Sequence, residues 1–173
     1  LFLSNSISFD YKNELKLFAF LLPMEYVFED FIFGFIDKEV SQVAVKAQLS
    51  SKYLDNAKIF QLRPDLLIQA ASKTLIADTK YKIIYSDQAD PKKGVSQSDL
   101  YQMIAYAVRF NIDEIILFYP NTIIHQKDVQ SEFIIQDMLA NDREIVIKVF
   151  QLPILNNDLI FKPLDPRADL RSL

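Results

Sequence analysis

Cysteine is absent from all 173 residues, histidine occurs once, at His125, and glycine only twice, at Gly34 and Gly94. Without cysteine there is no disulfide, no thiol nucleophile and no thiolate zinc site. With so little glycine, neither GxGxxG nor the Walker A phosphate loop is found. A Ser-His-Asp triad would have to be built on His125, which lies in a polar stretch with no nucleophile motif beside it. Any bound metal must be held by carboxylates, which selects Mg²⁺ or Mn²⁺ over zinc. A positive surplus is missing too. The net charge of −4 argues against DNA binding by bulk charge but leaves room for a local basic strip. Pro23, Glu25, Glu29 and Asp30 interrupt the longest apolar stretches, so no membrane-spanning helix is expected. No basic n-region or cleavage site marks a signal peptide, and the lack of cysteine fits a cytoplasmic protein.

What is present suffices for a folded domain. Half of the chain is apolar and 13% is aromatic, well above a disordered composition. The expectation is one α/β domain over residues 1–173, its core spanning about 14 to 152, and the start at Leu1 points to a piece of a longer protein.

Leu17, Phe18, Leu21 and Leu22, followed by Phe28, Phe31, Ile32 and Phe35, predict helix from Glu14 to about Lys38, with Pro23 opening its second segment. Val43 to Leu49 alternates as a strand. Two more strands, Leu62 to Gln69 and Thr74 to Lys82, are joined by a tight turn, and a polar loop from Asp87 to Ser98 follows. Ser96 and Asp99 are spaced as a capping pair for a helix ending near Phe110. Glu114 to Tyr119 reads as a buried strand. Glu132 to Leu139 and Glu144 to Leu152 read as two further strands, and the segment after Asn156 as a tail. Helices packed on a mixed sheet bury such elements.

The stretch that carries chemistry is Arg63-Pro64-Asp65 followed by Asp78-Thr79-Lys80. Residues two apart on a strand share a face, so Asp78 and Lys80 project together, and the short turn lets Asp65 lie across from Asp78. Two carboxylates and an ammonium then converge, as phosphodiester hydrolysis requires. The carboxylates bind a hard cation, and the ammonium orients water and steadies developing charge. D-x-K alone is also what a surface ion pair looks like, and the Pro-Asp at hairpin distance is what separates the two readings. On the helix that follows, Gln102 and Tyr106 share a polar stripe with Asp99 and Arg109, while Leu100, Ile104, Ala107 and Val108 form the apolar side. Lys82, on the face of Asp78 and Lys80, and Lys92 and Lys93 in the loop are candidates for DNA-backbone contact. Glu25 and Glu29 share a face of the first helix, from which a glutamate could reach the metal site.

Four blocks, Leu62–Ile68, Ile76–Lys82, Asp99–Tyr106 and Leu117–Pro120, occur in the order seen in the McrC family. These are the nuclease subunits of McrBC-type methylcytosine-specific restriction systems, and LlaJI-type relatives share the pattern. The stretch Val27 to Ile32 resembles the family's LFE-type helix and singles out Glu29. The resemblance covers about residues 24 to 120. It implies a restriction-endonuclease-like, PD-(D/E)XK fold, a mixed sheet flanked by helices, with Mg²⁺ held by Asp65 and Asp78 and with Lys80 as the catalytic lysine. It also implies a McrB-like, GTP-driven AAA+ motor that feeds DNA to the nuclease; a double-strand break made by single-site domains would call for two copies. None of that motor's own machinery is present in this sequence. The Gln102-x-x-x-Tyr106 element is similar to that of RecB- and Cas4-type nucleases. A RecB-like exonuclease is therefore one alternative, and the missing cysteine speaks against the iron–sulfur Cas4 version. A nuclease-fold docking or DNA-holding subunit that no longer cuts is the other.

Overall fold

The computed structural model describes residues 6–10, 16–20, 22–47, 52–71, 73–84, 89–121, 129–137 and 142–153. In chain order the elements are β1 (Ser6–Asp10), β2 (Lys16–Phe20), α1 (Met24–Glu39), β3 (Val43–Ala47), β4 (Lys52–Tyr53), β5 (Gln61–Leu62), β6 (Leu66–Ala70), β7 (Thr74–Thr79), α2 (Gln97–Phe110), β8 (Glu114–Asn121), β9 (Val129–Asp137) and β10 (Arg143–Pro153). His125 and the segment after Asn156 lie outside the described residues.

Six strands form one mixed sheet in the order β3-β6-β7-β8-β10-β9. β3, β6 and β7 are antiparallel neighbours, β7 and β10 both run parallel to β8, and β9 closes the far edge antiparallel to β10. The parallel step from β7 to β8 needs a crossover, which α2 supplies. Alternation along the strands divides the core in two. Leu75, Ala77, Ile116 and Phe118 face α1, which buries Phe28, Ile32 and Ile36 against them. Ile76, Ile115, Leu117 and Tyr119 face the other way, against Met103, Tyr106 and Ala107 of α2. Covered on both sides, β8 is buried along nearly its whole length, which is why its sequence is a continuous apolar run.

Three expectations need correction. Residues 16–20 are not helical but pair with β1 as an antiparallel hairpin, Ser6↔Phe20 to Asp10↔Lys16. From Leu15 to Leu22 only Lys16 is polar, so neither period is marked, and helix begins only after Pro23. The strand expected over 62–69 is split into β5 and β6. Finally, α2 is rotated from its expected facing: Val108 is exposed, and Asp99, Met103, Tyr106 and Ala107 form the buried face. That rotation is tolerated because the two polar members of the buried stripe, Asp99 and Tyr106, find hydrogen-bond partners inside.

Candidate active site

The split between β5 and β6 positions the first carboxylate. It holds Pro64, buried and without an N–H to give to a ladder. Tyr106 of α2 fixes this kink, its hydroxyl donating to the Arg63 carbonyl at 3.1 Å and accepting from Gln102 Nε2 at 2.6 Å. Burial, with the nearby Asp78 charge, pushes the Tyr106 phenol well above its usual range, so it remains a donor. Asp65 therefore stands at the entrance to β6, one step beyond the Leu66↔Ala77 pair and so beside Asp78. There the Thr79 N–H, at 2.7 Å, and the Thr79 hydroxyl, at 2.9 Å, both donate to Asp65 Oδ2, which leaves Oδ1 to other partners.

Asp78 lies at the C-terminal part of β7, on the α2 face, and is 1% exposed. The chain continues in register long enough for the Lys80 N–H to donate to the Phe118 carbonyl of β8 at 2.9 Å, which returns the Lys80 side chain to the face of Asp78. The Lys80 ammonium meets Asp78 Oδ2 as an ion pair. Among the described residues, that buried oxygen has no hydrogen-bond donor other than Lys80. Burial pushes the Asp78 carboxyl up to about 7, the Asp65 charge adds to the rise, and Lys80 acts against it. Two neighbouring carboxylates thus stand beside one ammonium, which is paired to Asp78, in a low-dielectric setting, and the site is short of positive charge. A divalent cation with a preference for oxygen ligands fits that deficit. Among the described residues no three His, Cys, Asp or Glu side chains converge as a ligand set, so the pair Asp65 and Asp78 is the protein's own share of such a site.

The other expected residues sit on α1, on the chain that follows β7 and on the turn before α2. Glu29 is half-buried on α1. Its neighbour Phe28 packs its ring 5.9 Å from that of Tyr81, which ties the first half of α1 to the chain just past Lys80. Lys82 is engaged: its ammonium pairs with Asp99 at 2.5 Å and donates to Ser96 Oγ at 3.3 Å, with the side chain still 44% exposed. Lys92 and Lys93 sit on a turn braced by Asp90, whose carboxylate accepts from the N–H groups of Lys92 (2.9 Å) and Gly94 (2.8 Å).

Sequence reasoning missed the polar anchor behind the site. Ser96 caps α2 as expected, accepting from the Asp99 N–H at 3.2 Å. The Asp99 side chain, however, is not on a solvated stripe but buried, where it accepts from the Tyr119 hydroxyl at 2.6 Å. Burial alone would raise its pKa, but hydrogen bonds from Lys82, Tyr119 and Ser96 outweigh burial and hold the carboxyl below its usual range. The result fastens the start of α2 to β8 and to the segment that follows Lys80. Only a tyrosine within the buried apolar run of β8 hinted at it.

Tyr106→Phe tests how the kink is held. Loss of the hydroxyl leaves the Arg63 carbonyl and the Gln102 amide without that partner, an expected loss of about 1–2 kcal/mol in a urea titration. Unchanged stability would mean that the kink is held by Pro64 alone.

The sequence matches the McrBC 5-methylcytosine restriction system component family over residues 1–120. No curated protein matches it. Among solved structures, the fold is similar to a chain of the refined half-complex from the tetradecameric assembly of Thermococcus gammatolerans McrB AAA+ hexamers with bound McrC. The TM-score is 0.61 at 16% identity, over 90% of this chain and 34% of that one. At that identity the likeness is one of fold, and this chain spans about a third of the matched chain's length.

Proposed function

The chain belongs to the McrBC 5-methylcytosine restriction system component family, which it matches over residues 1–120, and from that premise we propose that it is a PD-(D/E)XK nuclease domain that hydrolyses DNA phosphodiester bonds with Mg²⁺, or Mn²⁺ in its place. The observation that carries the proposal is the buried Asp78 carboxylate, set beside Asp65 and with Lys80 as its one donor at Oδ2 among the described residues. In this reading Asp65 and Asp78 hold the cation, and Glu29, half-buried on α1, stands outside the ligand pair. The bound cation supplies charge that polarises the scissile phosphate and eases ionisation of water.

The remaining work falls to side chains. Lys80 directs its ammonium at the attacking water and at the oxygens that gain charge in the transition state. Gln102, steadied by Tyr106, and Lys82 line the approach of the DNA strand and contact it. Tyr119 and Asp99 hold α2 against β8 so that Gln102 and Tyr106 keep their place over the Pro64 kink. By likeness to the complex of McrB AAA+ hexamers with McrC, we assign an AAA+ motor as partner that delivers the DNA. Two copies of the chain would cut the two strands. Among the described residues no helix is long and apolar enough to cross a membrane.

Titration calorimetry tests the metal. Mg²⁺ is expected to bind the wild type and not a variant carrying Asp65→Asn and Asp78→Asn. If the wild type binds neither Mg²⁺ nor Mn²⁺ even with duplex DNA present, the proposal fails and the non-cutting docking subunit replaces it.

A further inference from the structure

The segment from Lys52 to Gln61 is used by nothing in the site described above. β4 and β5 form its stem through the pairs Lys52↔Leu62 and Tyr53↔Gln61. The loop they carry turns three large apolar side chains to solvent: Leu54, 49% exposed, Ile59, 70%, and Phe60, 63%. So much exposed apolar surface on a short loop ordinarily collapses onto the body of a protein. Here the loop is braced from within. The Asp55 carboxylate accepts from the N–H groups of Ile59, at 3.0 Å, and Phe60, at 2.9 Å. The Leu54 N–H donates to the Phe60 carbonyl at 2.8 Å, and Lys58 takes a left-handed turn at φ 59°.

The stem is fixed to the helix that frames the active site. Lys52 Nζ donates to the Arg109 carbonyl at 3.0 Å and lies 5.0 Å from the centre of the Phe110 ring, while Arg109 Nε donates to the Tyr53 carbonyl at 2.7 Å. The chain leaving the stem runs through the Tyr106-held kink directly into Asp65. The loop and the first carboxylate of the site are thus parts of one braced connection.

We propose that the 54–60 loop is an apolar wedge that enters the base stack of the duplex beside the bond to be cut, an inference that rests on the nuclease function proposed above. Charge selects DNA as the occupant. Between residues 52 and 63 the chain carries Lys52, Lys58 and Arg63 against a single acid, Asp55, whose carboxylate is turned onto backbone N–H groups. The Lys52 ammonium is held on α2, so Lys58 within the loop and Arg63 at its base, hydrogen-bonded to Gln61 Oε1, set the cations beside the wedge in a chain whose overall charge is −4. Phe, Leu and Ile are the side chains that proteins push between base steps, and cations beside them suit the phosphates that flank an opened step. Unstacking one step bends the duplex, which brings its backbone toward Asp65 and Asp78.

The test uses duplexes with the fluorescent base 2-aminopurine at successive positions, bound without divalent cation so that no strand is cut. Wild-type protein is expected to raise the emission at one or two adjacent positions, as unstacking does. A variant carrying Ile59→Ser and Phe60→Ser removes only exposed side chains. It is expected to bind about tenfold more weakly, the scale of a lost base-stacking contact, without the rise in emission. Asp55→Ala, with the apolar side chains kept but the brace removed, is expected to weaken the rise as well. Binding by the wild type without any rise, or an equal rise in the double serine variant, overturns the wedge. If the wild type then still cuts DNA with Mg²⁺, the nuclease function stands without it; if it neither binds nor cuts duplex DNA, both fall together.

Discussion

Lys80→Ala is expected to reduce metal-dependent cleavage of duplex DNA by at least about a hundredfold, the scale on which removing one preorganised charge stabiliser acts, while Mg²⁺ still binds. The protein should remain folded, for two reasons. First, the Lys80 backbone N–H donates to the Phe118 carbonyl whatever the side chain, so the end of β7 stays on β8. Second, removal of one partner from a buried ion pair typically costs about 3–5 kcal/mol because a bare charge is left behind. Asp78 escapes most of that cost because its carboxyl, already pushed up to about 7, takes up a proton when the ammonium is gone. Lys80→Arg keeps a positive charge but spreads it over a planar fork, and should recover only part of the rate. Single-turnover cleavage beside a thermal melt separates the two effects. Wild-type rates in Lys80→Ala would remove this lysine from the mechanism, and a collapsed melting transition would make it a structural ion pair instead.

The legible part of the site is the part written in local periods. Asp78 and Lys80 share a face because strand residues two apart do, and Asp65 meets Asp78 because the hairpin between them is short enough to leave one register. Gln102 and Tyr106 meet because helix residues four apart do, and the structure joins them at 2.6 Å. The Ser96 cap and the end of α2 at Phe110 were legible for the same reason. What was not legible depends on contacts between elements. Lys82 and Asp99 are separated by a loop, and Asp99 and Tyr119 by a helix, so no spacing rule links them. Their union turns α2 so that Asp99 is buried and Val108 exposed, against the apolar count of the helix. The same holds for β2, where an unbroken apolar run carried no period and the pairing with β1 decided the matter.

Without divalent cation, Asp78→Asn is expected to make the protein more stable at pH ~8 and no more stable at pH ~3, while abolishing cleavage. The Asp78 carboxyl is raised from its ordinary 3.8 to about 7, first by burial and then by the Asp65 charge. Below 3.8 it is protonated in both the folded and the unfolded chain, and it contributes no pH dependence. As the pH climbs from there toward 7, the unfolded chain releases this proton while the folded chain retains it, so stability falls. Above 7 the group is ionised in both states and the penalty is complete. Roughly three pH units at about 1.4 kcal/mol each make that penalty about 4 kcal/mol in magnitude. Asparagine keeps the shape and has no charge to desolvate, so the variant should lack this decline in urea titrations across the range. Saturating Mg²⁺ should act on the wild type in the same direction as the mutation, since a ligand held at about a hundred times its dissociation constant adds about 2.7 kcal/mol. The variant, having lost a ligand, should gain little from it. Parallel pH profiles for the two proteins would show that Asp78 is not strained in the folded chain, and the charge deficit that calls for a metal would then have to be abandoned.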